Sequence, residues 1–403
     1  MFDQILGLKH IMKILLITDN HNPDGGGAEK YFFTLKSELH KRAEINTLSL
    51  GFGPEAKTGV DYVVLAETPS RLMRLCWRMF FHRKKYLELK DAIAKINPDV
   101  IHLHNVKKYT VSLLKAVQGY KVIQTVHDYG SICPTGWNLH NDLTPCSTGL
   151  RLRCFWQHKR KMNSVIYLGL LFAFLRMKTL LKKFSSQFIA PSPLLADYLK
   201  RDHFNSPIYL PPFRYQNASI SFQKMQPQHF LYVGQLGKHK GVDMLIDEFY
   251  LAVQKNKNLM LKIVGQGTEE TALRQQVTAL KLEKNITFIG WTKPDSLYEE
   301  CTAVIFPSIG LEAFGLVLTE AMNYGRAIIG SNRGPTAWLV DNNKTGLLYD
   351  PLKQGDLAEK ILQLASSIST AETYGRAGFE KLQSFMNNEE IIDAMIAIYK
   401  TTT

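Results

Sequence analysis

Residues 307–321 read PSIGLEAFGLVLTEA. The stretch opens polar and glycine-bearing and closes apolar. Ahead of it, 302–306 predicts a short buried strand; 316–324 predicts a helix. Strand, loop and helix in that order form the repeating unit of a parallel α/β sheet. Two carboxylates mark the unit. Glu320 falls on the helix and Glu312 in the loop before it, so the pair can converge on one ligand. Carboxylates accept hydrogen bonds from hydroxyls, and with exposed backbone N–H groups they suit a polyhydroxylated ligand. The competing reading is a solvated glutamate at each end of a surface helix, and the neighbouring stretches decide between the two.

The same unit recurs on both sides. Upstream, strand 229–233 leads into a loop running from Gly234 and Gln235 to Lys240 and Gly241, and then a helix from Val242. A lysine in a glycine-bounded loop at a helix start is placed for phosphate. Strand 259–264 ends in Gly265-Gln266-Gly267, and strand 286–289 ends in Gly290-Trp291. Strands 327–329 and 346–349 follow, and helices at 355–368, 371–385 and 388–400 close the chain. Near the start, strand 13–18 is followed by Asp24-Gly25-Gly26-Gly27 and a helix from Ala28, either an anion-binding helix start or a plain turn. Further apolar runs at 45–50, 60–65, 99–103, 122–125 and 188–190 complete a first parallel sheet. Ligands bind beyond the carboxyl ends of such strands. Polar clusters stand there: His102 to Asn105, His127-Asp128-Tyr129 and Pro191-Ser192, with His127 the ligand contact among them. The proline-bearing 207–212 and polar 216–228 read as a linker, dividing the chain into domains 1–215 and 216–387.

Charge separates the halves. Residues 1–215 hold 31 Lys and Arg against 16 Asp and Glu, a net of +15, whereas 216–403 net −2. The excess argues for an anionic partner of the first half: phospholipid, a lipid phosphate or nucleic acid. No nucleic-acid motif is present, so an anionic membrane surface is the expected partner. Residues 143–196 carry nine Lys or Arg and no acid around an apolar run at 165–175, too short to span a bilayer but suited to the headgroup layer. A second basic, aromatic segment covers 71–85. Five cysteines and no secretory signal suggest a reducing cytosol, and residues 1–11 are expected to be an extension without structural role. Cys133, Cys146, Cys154 and His158 fit no compact zinc spacing, and no metal site is expected.

Taken in order, GGGAE, the His-Asp after a mid-domain strand, APS, VGQLGKHKG, VGQG, FIGW, the E-x7-E stretch and GRAIIGS resemble the retaining glycosyltransferases of family 4. The resemblance covers the chain from Met12 and is most specific over 229–350. It implies the GT-B fold, two Rossmann-like domains facing a cleft, with the last helix (388–403) returning to the first domain. It implies a nucleotide-sugar donor on the second domain, a saccharide or lipid-linked acceptor mainly on the first, no cofactor or metal, and a cytoplasmic protein peripheral to the inner face of the membrane. By position, Lys240, Glu312 and His127 would be catalytic. Glu320 would hold the ribose hydroxyls, and the backbone N–H groups of Phe314, Gly315 and Leu316 would assist Glu312 at the sugar. Gly26 and Gly27 would admit the diphosphate; Gly265, Gly267 and Trp291 would line the base pocket. Gln235 stands where the family commonly has arginine, leaving Lys240 as the side-chain cation at the diphosphate. The turn Gly334 to Ala337 lacks an expected glutamate. The alternatives are a nucleotide-sugar epimerase or hydrolase on the same fold, and a non-catalytic protein that binds polyanions or membrane.

Overall fold

The structure, a computed structural model, describes residues 11–19, 22, 25–53, 59–65, 80–106, 108–133, 136, 138, 140, 144, 146, 164–214 and 220–401. Asp24, 71–79, Cys154, His158, the basic run 159–161 and 215–219 lie outside the described residues. The chain divides into two compact units, with the boundary at Phe213/Arg214 and the last helix counted in the first unit.

The first unit is a parallel sheet with crossover helices. In chain order it holds β1 (Met12–Thr18), α1 (Gly27–His40), β2 (Ile45–Gly53), β3 (Tyr62–Leu65), α2 (Arg83–Ile96), β4 (Val100–His104), α3 (Thr110–Ala116), β5 (Lys121–Thr125), α4 (Ser164–Phe184), β6 (Gln187–Ala190), α5 (Pro193–Arg201) and β7 (Pro207–Tyr209). The strand order is β3-β2-β1-β4-β5-β6-β7. Ile14, Leu15, Leu16 and Ile17 of β1 are all fully buried, as expected of a central strand covered on both faces.

The second unit repeats the plan: β8 (His229–Val233), α6 (Val242–Lys255), β9 (Met260–Val264), α7 (Glu270–Ala279), β10 (Ile286–Gly290), α8 (Asp295–Glu300), β11 (Ala303–Phe306), α9 (Leu316–Asn323), β12 (Ala327–Ser331), α10 (Thr336–Leu339), β13 (Gly346–Tyr349), α11 (Asp356–Ala365) and α12 (Ile368–Gln383). Its strand order is β10-β9-β8-β11-β12-β13. The last helix, α13 (Asn388–Thr401), packs in the first unit, burying Ile391, Ile392, Met395 and Tyr399.

Each sheet reverses direction of growth once: between β1 and β4 in the first, and between β8 and β11 in the second. Loops leaving the carboxyl ends at such a switch point diverge to opposite faces of the sheet and open a crevice. In the second unit those loops are 234–241 and 307–315, which contain Lys240 and Glu312. In the first they begin after Thr18 and after His104.

Two sequence expectations change. Pro207–Tyr209, read as linker, forms edge strand β7 on β6. Proline at the first position of an edge strand forfeits no ladder bond that the sheet needs. The apolar run 165–175 is part of one longer helix, α4, of 21 residues. Among the described residues no helix is long and apolar enough to cross a membrane.

Candidate functional site

In the second unit the loops after β8 and β11 are clamped together. The amides of Ile309 and Gly310 donate to the His239 carbonyl at 3.1 and 3.0 Å. Lys240 Nζ lies 2.6 Å from Glu312 Oε1, with side chains 20% and 17% exposed. Ser308 Oγ donates to the same oxygen. Burial alone would raise the Glu312 carboxyl, but the charge and hydrogen bond of Lys240, with the Ser308 bond, outweigh it and hold it below the ordinary range. Burial and the neighbouring ammonium push His239 down. Lys240 and Glu312, read from the sequence as separate contacts to phosphate and sugar, therefore form one ion pair.

Glu320 sits one helical turn into α9, where its Oε2 accepts from Tyr298 Oη at 2.9 Å. Burial first, then the adjacent carboxylate, push the Tyr298 phenol well up, so it stays protonated and donates. Phe314 is buried in the core beside Trp338, so it contributes its backbone, not its ring. Gly315 takes φ +82°, a left-handed turn that favours glycine, and starts α9 without a side-chain cap. The amides of Phe314, Gly315 and Leu316 donate to no acceptor among the described residues. They leave an uncapped helix start directly between the two glutamates, the arrangement that attracts anions.

Gly265 and Gly267 have a packing reason to be glycine. A Cβ on Gly265 would lie 1.8 Å from the Gly234 carbonyl oxygen, and one on Gly267 would lie 2.1 Å from that of Leu236. The close approach is by the protein's own neighbouring loop. Leu236 N–H donates to Gln266 O at 3.0 Å, and Gly265 N–H to Gly290 O at 2.8 Å. The packing brings the loops after β8, β9 and β10 side by side, and Trp291, which follows Gly290, is exposed. Gln235 is exposed, and its carbonyl accepts from the buried Tyr232 hydroxyl at 2.9 Å.

The first unit holds a separate set. Gly26 precedes α1, Gly27 opens it, and no side chain among the described residues caps it. The Glu29 carboxylate folds back over this turn, 3.3 Å from where a Gly26 Cβ would stand. That carboxylate occupies the favourable end of the helix dipole where a diphosphate would compete with it. His127 follows β5, its ring edge-on to Tyr31 at 5.2 Å and its Nε2 3.1 Å from His104 Nδ1. Asp128 caps the short turn at Tyr129–Ser131 by accepting from Gly130 N–H at 2.7 Å, which gives it a structural task. Cys133 and Cys146 are buried, and no group of three or more His, Cys, Asp or Glu among the described residues is arranged to hold a metal.

Residues 216–381 match the family described as Glycosyl transferases group 1, and residues 25–210 match Glycosyltransferase Family 4. The chain belongs to the family 4, group 1 glycosyltransferases. An uncharacterized glycosyltransferase of Haemophilus influenzae is 32% identical over 152 residues, covering 38% of this chain and 42% of that protein. The capsular polysaccharide biosynthesis glycosyltransferase CapM of Staphylococcus aureus is 28% identical over 184 residues, covering 45% and 48%. The chain thus matches less than half the length of either relative. The crystal structure of Anabaena HepE with UDP and glucose superposes with a TM-score of 0.71 at 18% identity, over 97% of this chain and 100% of that one. The fold is accordingly GT-B, two Rossmann-like domains with parallel sheets.

Reading the sequence as separate motifs missed the partners that hold these groups. Ser308 and His239 flank named residues but carry no motif of their own. Tyr298 lies 22 positions before Glu320 and meets it only through the packing of α8 beside α9. His104 was legible as part of a polar cluster, and its pairing with His127 follows from the β4–β5 register, which sets His104 opposite Thr125.

Proposed function

We propose that the protein moves a sugar from a UDP- or GDP-sugar to an acceptor hydroxyl with retention of anomeric configuration. One observation carries the reading: the uncapped start of α9, flanked by Glu312 and Glu320 at the switch point of the second sheet. Glu320, oriented by Tyr298, holds the ribose hydroxyls. The open amides of 314–316, placed beside Glu312 at the sugar by the sequence reading, are assigned instead to the diphosphate with the Lys240 ammonium, because an uncapped helix start favours an anion. Glu312 exchanges part of its bond to Lys240 for the sugar hydroxyls. In the reaction the bond from the sugar C1 to the phosphate oxygen breaks and its electron pair leaves with the diphosphate. The acceptor oxygen bonds to C1 on the same face, and its proton passes to the departing phosphate oxygen. Stabilising that leaving charge with preorganised N–H donors and one ammonium is the main demand. This charge is supplied by the chain itself, so the proposal includes no metal.

The acceptor we propose is a lipid-linked or growing cell-surface polysaccharide. The proposal draws on CapM's role in capsular polysaccharide biosynthesis and on the basic first half of this chain. Phe172 and Leu175 on α4 are 72% and 46% exposed, Phe80 and Phe81 ahead of α2 are 54% and 40% exposed, and together they support attachment to an anionic membrane surface. Not all the lysines of α4 serve that surface. Lys178 and Lys182 are both bound to Asp202, through its carboxylate and its carbonyl.

The test is incubation with UDP- and GDP-sugars and a polyprenyl-diphosphate saccharide. The reading requires nucleotide release that depends on acceptor, an α-linked product from an α-donor, and no loss in EDTA. Release without acceptor identifies the hydrolase instead.

A further inference from the structure

The first unit contains a run of buried imidazoles behind His127. His102 and His104 are 0% and 1% exposed and sit two apart on β4, so they share a face of the sheet. His102 is held at both nitrogens: Nδ1 is 2.7 Å from Tyr399 Oη on α13, and Nε2 is 2.8 Å from Thr125 Oγ1 on β5. Its ring lies against that of His104 at 4.2 Å, and Phe32 closes on His104 edge-on at 5.3 Å. His104 is thus packed between two rings, and its Nδ1 meets His127 Nε2 at 3.1 Å.

We infer that His104 is a positioning residue for His127, donating its Nδ1 proton to His127 Nε2 and so holding His127 as the Nδ1–H tautomer. Only one of the two nitrogens in this contact carries the proton. A neutral imidazole has one N–H, and His104 Nε2 is buried without a partner among the described residues. If His127 were the donor, the His104 proton would sit on that orphaned Nε2, a buried N–H with no acceptor. With the proton on Nδ1, the orphan is only a bare lone pair, and the donor is used. Leaving a buried donor unmade is the costlier error. Burial and then the neighbouring imidazoles keep His104 well below its usual titration range, which supports the neutral form.

The consequence bears on the reaction and rests on the proposed transfer. With Nε2 accepting from His104 and Nδ1 protonated, neutral His127 has no lone pair left for a proton. In that state His127 serves as a hydrogen-bond donor through Nδ1 and not as a base. The acceptor's proton must then leave by another route, as it does in a step where the departing phosphate takes it.

Long-range 1H–15N NMR of the histidine-labelled full chain tests the pairing directly, with His127 assigned by the signal lost in His127→Gln. The inference requires the Nδ1–H pattern for His127 in wild type. His104→Asn keeps an N–H donor near the Nδ1 position and should retain that pattern; His104→Leu should shift it toward Nε2–H. A wild-type Nε2–H pattern overturns the inference even if His104→Leu does not fold, and so does a folded His104→Leu with the tautomer unchanged. Where turnover is measured, His104→Leu lowers kcat about tenfold, one hydrogen bond's worth, and His104→Asn restores most of it. The tautomer is read without any substrate, so transfer can fail while the pairing stands, and the reverse.

Discussion

Lys240 and Glu312 are each other's counter-charge before any ligand arrives. Removing one leaves the other part-buried and uncompensated. Lys240→Ala should cost about 2 kcal/mol in urea unfolding, less than a fully buried pair because both side chains retain some solvent. The double variant with Glu312→Gln should recover most of that loss, and a simple sum of the two single effects would contradict the pairing. His102 supplies a second residue-scale outcome. Burial, followed by the His127 charge, takes it from its usual 6.5 to about 3. Above 6.5 neither the folded nor the unfolded chain holds the proton. As pH falls below 6.5 the unfolded chain binds a proton that the folded one refuses, so stability declines towards 3. At pH 5 the loss is about 2 kcal/mol for this histidine. Wild type should therefore lose about that much more between pH 7 and 5 than His102→Gln, and equal slopes would show that His102 is charged in the fold.

At the scale of elements, the second unit depends on three loops lying backbone to backbone. Gly265→Ala should destabilise the protein by more than 2 kcal/mol in thermal or urea unfolding without any ligand, because its Cβ would meet the Gly234 carbonyl. A variant of wild-type stability with weakened nucleotide binding would return Gly265 to the role read from the sequence. The strands at 13–18, 229–233 and 302–306 were legible because central parallel strands are unbroken apolar runs. So was the helix from Leu316, at which a glycine turn meets an apolar repeat. The edge strand at Pro207–Tyr209 was not legible: three residues led by proline carry no periodicity, and only pairing with β6 makes them a strand. The ion pair of Lys240 with Glu312 spans 72 positions and depends on strand order, which residue spacing does not encode. What spacing did supply was the set of glycine-bearing turns at strand ends; strand order then decided which of them stand at the switch point.

Across the whole molecule, positive charge is concentrated in one half, +15 over residues 1–215 against −2 over the remainder. Flotation with vesicles containing anionic phospholipid should carry the protein upward at low salt, and about 0.5 M salt should release most of it if charge dominates. No flotation at low salt would remove the membrane from the proposal and leave the nucleotide site untouched. That site is the central claim, and calorimetric titration of UDP, GDP and ADP into wild type and Glu320→Ala tests it most directly. The account predicts that wild type binds one of UDP or GDP selectively and that Glu320→Ala loses at least tenfold in affinity, from the bonds its carboxylate makes to the ribose. Failure of all three nucleotides to bind, or unchanged affinity in Glu320→Ala, would contradict it.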